Sequence, residues 1–198
     1  MKTFLLTISS LLCFLMLTAQ HNEEYLLLEA DSLWSKETFD IPTRFAPEMT
    51  LEGFEDARFP PEWGKPDSDA FWSYVFAWSI SEENQIPIKD LEHNLTSYFD
   101  GLMNIPKDTI IALKLPTTTL LVEKSRTKDK IVYYGKIRTF DNFSAQKMMT
   151  LYLLAEQYLC ASTKRNIIVF RFSPKAFDHS IWQKLNTISL LKGVCAPE

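Results

Sequence analysis

The sequence predicts an α+β domain: an antiparallel sheet of about five to six strands, flanked by two main helices and preceded by an irregular, loop-rich arm. Three observations predict it. The residues at 71–80 alternate with period 2, those from Ile88 to Leu102 recur at three- and four-residue steps, and strand-like runs follow until a second helical spacing near the C-terminus.

Residues 1–19 read as a cleavable secretory signal. Lys2 forms a positive start, an apolar run extends from Phe4 to Leu17, and the small Ala19 precedes Gln20. The apolar run is shorter than the roughly 20 residues a membrane-spanning helix needs, so no stable span is expected after cleavage. Cys13 follows a bulky leucine, Leu12, which argues against a lipid-modified N-terminus. The expected destination is the periplasm or the exterior, and residues 20–198 are expected to form one domain, an arm over 20–70 and a core over 71–198.

With 21 basic and 25 acidic residues the chain carries a net charge of −4, and its charges are interspersed. That balance lacks the footprint of a nucleic-acid binder. Cys160 and Cys195 are the two cysteines beyond the signal, and in an oxidising compartment they are expected to pair.

In the arm, Pro42, Pro47, Pro60, Pro61 and Pro66 forbid a long helix. Short strands are expected near 49–51 and 57–59. Over 71–80, Trp72, Tyr74, Phe76, Trp78 and Ile80 fall on one face, and Phe71, Ser73, Val75, Ala77 and Ser79 on the other. The first helix starts after Pro87, takes Asp90 and Glu92 into its first turns and is closed by 101–106. Strands are expected over 109–114, 119–124, 131–140 and 167–172, with a turn at 125–130; the period of 150–160 also fits a helix, and its place between strands and its Tyr, Leu and Cys content favour a strand. The last helix takes Ser173 and Pro174 as its start, Phe177, Ile181, Leu185 and Ile188 as its apolar stripe, and Gly193 as its stop.

Several short motifs, Phe45-Ala46-Pro47, Glu55-Asp56, Arg58-Phe59, Trp72-Ser73-Tyr74, Phe76-Ala77-Trp78 and Phe172-Ser173-Pro174, resemble exported proteins of unknown function from Bacteroidota-type bacteria. The element order is also similar to the PsbP-like fold. The resemblance implies export and a single domain and carries no activity with it. Asp31-Ser32-Leu33 and Asp108-Thr109-Ile110 look like the O-glycan acceptor pattern of such bacteria. Asn94-Leu95-Thr96 and Asn142-Phe143-Ser144 match the N-glycosylation sequon, relevant only to a eukaryotic secretory route.

Candidate chemistry concentrates in Glu55, Asp56 and Arg58 with Trp63, the densest polar cluster beside the aromatic strand. Two adjacent carboxylates can split their pKa values and act as acid and base. On an extended chain, however, neighbours point to opposite faces, and an ion pair of Arg58 with one carboxylate, pinning the arm to the sheet, explains the cluster with less. The row Trp72, Tyr74 and Trp78 reads as core, or as the wall of a pocket for an apolar ligand or partner protein. His21, His93 and His179 are scattered, with no metal-ligand spacing, and neither a nucleophile elbow nor a phosphate loop occurs. The expectation is a non-enzymatic exported binding module without metal or cofactor. The alternative is a small envelope hydrolase using Glu55 or Asp56.

Overall fold

The computed structural model describes residues 25–104, 108 and 116–195. The signal at 1–19 and the strand expected at 109–114 lie outside the described residues.

The elements run β1 (Leu28–Glu29), β2 (Ser35–Ile41), β3 (Gly53–Phe59), β4 (Tyr74–Ile80), α1 (Ile88–Met103), β5 (Thr118–Arg126), β6 (Lys130–Asp141), β7 (Lys147–Cys160), β8 (Arg165–Ser173), α2 (Ile181–Leu185) and β9 (Ser189–Leu190). One seven-stranded antiparallel sheet has the order β2-β3-β4-β8-β7-β6-β5, and β1 pairs with β9 in a two-stranded ribbon. Two meanders build the large sheet. The chain leaves β4 through α1, reaches β5 at the far edge, and returns strand by strand until β8 pairs with β4.

The α+β expectation with two main helices is therefore corrected: the fold is mostly β, and among the described residues the two helices named above have 16 residues and five. The last helix is where the periodicity misled. Ser173 does not begin a helix; it ends β8, where its hydroxyl meets that of Ser73 at 2.8 Å. Arg171 then takes the carbonyls of Leu185 and Ile188, at 3.3 and 2.9 Å, so the chain turns along the sheet after a turn and a half. Gly193 lies in a later turn with φ near +88°, a conformation glycine adopts without strain.

The arm also differs from expectation. Its residues supply two full strands, β2 and β3, paired over seven positions from Ser35 opposite Phe59 to Ile41 opposite Gly53. The segment near 49–51 is not a strand. Its backbone is held by the buried Asn94 of α1, whose carbonyl oxygen accepts from the N–H groups of Thr50 and Leu51 at 2.8 and 3.1 Å.

The period-2 reading matches the structure over β4, but residues 71–72 form a turn before it, and Phe71 packs against the same core as Trp72. Tyr74, Phe76, Trp78 and Ile80 join a large core with α1, built on Leu91, Leu95, Tyr98, Phe99 and Met103. Val75 and Ala77 join a second core on the opposite face, with Trp34, Ile181, Trp182 and Leu185. That second face stays open towards β5 and β6, where Leu120, Val122 and Tyr134 are exposed. Gly101 lies inside α1 instead of ending it. A Cβ there would stand 2.1 Å from the Phe45 carbonyl oxygen, so its absence lets the arm pass close over the helix. The left-handed Asn104 ends α1, its N–H bonded to the carbonyls of Asp100 and Gly101.

Cys160 and Cys195 form a disulfide, as expected from the sequence. It ties the end of β7 to the C-terminal segment. Among the described residues no helix is long and apolar enough to cross a membrane.

Candidate functional site

The strand β3 decides where the polar cluster goes. Glu55 shares a face with Ala57 and Phe59, while Asp56 and Arg58 point to the other, and all of 55–58 are buried. The cluster is thereby split.

On the second face, Asp56 and Arg58 pair side chain to side chain. Asp56 also accepts from the N–H groups of Leu27 and Leu28, at 2.8 and 2.9 Å, and Arg58 donates to the Leu28 carbonyl at 3.1 Å. The pair thus holds β1 and the chain before it against the sheet, and Arg58 also donates to the Ala57 carbonyl at 2.8 Å. This is the ion-pair alternative weighed from the sequence, and it leaves neither residue for acid–base work beside Glu55.

Glu55 lies on the first face, opposite Phe39 of β2 and Trp78 of β4. The Trp78 indole N–H donates to its Oε2 at 2.8 Å and the Tyr98 hydroxyl to its Oε1 at 3.0 Å. Burial pushes the carboxyl from its ordinary 4.5 to about 8; the two hydrogen bonds pull the other way, and the charges of Asp56 and Glu37 add to the rise. At neutral pH Glu55 is mainly a neutral carboxylic acid.

Beside it the aromatic face opens. A cavity of about 140 Å³ is lined by ten residues, eight of them aromatic. Its floor is Tyr74 of β4 and Phe59 of β3, with ring centroids 5.4 Å apart and stacked. Trp63 and Trp72, from the turn between β3 and β4, form one wall, their centroids 6.2 Å apart and nearly perpendicular. Tyr98 and Leu102 of α1, with Phe45 of the arm, form another; Phe45 meets Tyr98 edge-on at 5.1 Å. Phe39 and Glu37 of β2 complete the side towards solvent.

Phe143 closes over Trp72, with centroids 6.0 Å apart. The turn that carries it is held by the buried Asp141, whose carboxylate accepts from the N–H groups of Phe143, Ser144 and Ala145. Phe143 is itself 62% exposed, at the rim. The Tyr74 hydroxyl is buried and has no hydrogen-bond partner among the described residues. Burial, and then the Glu55 charge, hold its pKa well above the ordinary tyrosine value, so it stays a neutral donor.

Of the site residues read from the sequence, Trp63, Trp72 and Tyr74 meet in this pocket. Glu55 and Trp78 sit behind its wall, and Asp56 and Arg58 lie across the sheet. The row of aromatics is thus both things at once: Phe76 and Trp78 are wholly buried core, while its Trp72 and Tyr74 end lines the cavity. Glu37, Phe39, Phe45, Phe59, Tyr98, Leu102 and Phe143 were not singled out in advance. A signal existed for two pairs, since Glu37 and Phe39 alternate with Ile41, and Tyr98 and Leu102 are four apart on one helix face. Among the described residues no three His, Cys, Asp or Glu side chains converge on a metal position. Asn94 is wholly buried, so the first sequon is closed to modification in the folded chain.

No family model, curated protein or solved structure matches this chain.

Proposed function

We propose that the chain is an exported, non-enzymatic binding module of the cell envelope that holds a small, largely apolar ligand in the aromatic pocket. The observation that carries this reading is a pocket walled by eight aromatic rings, one of them Tyr74, whose buried hydroxyl has no hydrogen-bond partner among the described residues. Ligand sites are mostly apolar surfaces with a few placed polar groups, and a buried hydroxyl without a partner is costly unless something bound there satisfies it. An apolar cavity of about 150 Å³ accepts a benzene-sized guest, which sets the scale. Export is supported by the three-part N-terminal pattern and by a disulfide, which persists in oxidising compartments.

Native mass spectrometry of the protein taken from its own cells tests this. The expected spectrum shows a chain beginning at Gln20, two hydrogens lighter for the disulfide, and carrying a small mass that Trp63→Ala abolishes. A chain that retains residues 1–19 would refute export. A ligand mass that survives Trp63→Ala would place the site elsewhere.

A further inference from the structure

Resting on that reading, we infer that the pocket is built for a free small organic cation, an alkylammonium group of about choline size. Eight aromatic rings line the cavity, and the negative face of an aromatic ring attracts a cation, most strongly when several rings surround it away from water. Glu37 is the charged residue in the lining, and no ion pair holds it among the described residues. The charges acting on Tyr98 at the cavity wall come from Glu55, Tyr74 and Glu37, all of them acidic groups. Glu55 behind the wall is a second acid, which a cation in the cage would draw towards its ionised form.

The lining thus offers negative potential without a competing positive one. A neutral guest would gain from the rings but nothing from Glu37, and an anion would be repelled by that carboxylate. The Tyr74 hydroxyl supplies what a bare tetraalkylammonium ignores: a donor for an oxygen near the cationic centre. Choline combines both features, whereas a betaine would turn a carboxylate towards the acidic side. Size favours a free molecule over a lipid surface, because a cavity of about 140 Å³ takes one such group.

The test is a tryptophan-fluorescence titration with choline chloride, with its neutral carbon isostere, in which carbon replaces nitrogen, and with phosphatidylcholine vesicles, at constant ionic strength. Choline is expected to give a saturable change at roughly tenfold lower concentration than the isostere. Glu37→Gln is expected to weaken choline roughly two- to fivefold and leave the isostere unchanged. Should the isostere bind as tightly as choline, the cation inference fails while the pocket stands. If neither changes the fluorescence, both fail. Vesicles that compete with choline would overturn the free-molecule source.

Discussion

Glu55 and Asp56 are neighbours in the chain, yet the two faces of β3 give them opposite work. Asp56 meets a guanidinium and two backbone N–H groups and becomes a fastener. Glu55 meets an indole, a phenol and rings, with no cation against it among the described residues, and becomes a neutral acid under a cavity. The pair shows that a carboxylate's role is set by which face of a strand its number places it on. The fastening face also holds the disulfide and the Arg171 contacts to the C-terminal segment, while the other face spends its polar groups on a wall that stays open.

The largest effect should come from breaking the fastener. Arg58→Met leaves Asp56 buried without its countercharge and is expected to cost about 3 to 5 kcal/mol in urea unfolding, with the pocket's ligand affinity unchanged where the chain still folds. A loss below about 1 kcal/mol would show that the pair does not hold β1. On the same face, Cys160→Ser with Cys195→Ser opens a bridge between residues 35 apart. The expected loss is about 4 kcal/mol on the loop-entropy account, read from the shift in the urea midpoint.

The pocket face sharpens the comparison through pH. Because the folded pKa of Glu55 lies near 8 and the ordinary value is 4.5, the native state holds more protons than the unfolded state between those limits. Its contribution is fully present below about pH 4.5 and is lost as pH rises towards 8. Stability measured at several pH values should therefore fall more steeply in the parent than in Glu55→Gln, by up to about 1.4 kcal/mol per pH unit. Parallel curves would mean that Glu55 is ionised throughout. The smallest expected effect on stability is that of Tyr74→Phe, which removes no protein hydrogen bond and should stay within about 1 kcal/mol of the parent. Ligand affinity should nevertheless drop, and calorimetry of the same variant reads both.

The sequence made legible what hydrophobic pattern can express. The two faces of β4 and the first helix follow from period 2 and 3.6, β5, β6 and β8 from strand-like runs, β7 from its position and composition, and the disulfide from cysteine count and compartment. What was hidden has physical reasons. β3 buries Glu55, Asp56 and Arg58, so its polar letters hid all but its 57–59 end although the strand lies inside the sheet. β2 is an edge strand with mostly exposed residues, which leaves little apolar pattern to detect. Ile181, Leu185 and Ile188 of the terminal helical stripe are buried while Phe177 is exposed, and Arg171 captures the carbonyls of Leu185 and Ile188 where the chain bends. Half the pocket was invisible because Phe45, Tyr98 and Phe143 meet only through tertiary packing, helped by the missing Cβ of Gly101.

The five tryptophans divide between the two faces, which allows one direct measurement. Trp63 and Trp72 line the pocket and Trp78 bonds to Glu55 behind it, whereas Trp34 and Trp182 lie in the opposite core. Indole N–H resonances followed by NMR during titration with choline and its neutral isostere should move for Trp63, Trp72 and Trp78 and stay fixed for Trp34 and Trp182. Movement of Trp34 or Trp182 first, or of no indole with either compound, would contradict the assignment of binding to the Glu55 face.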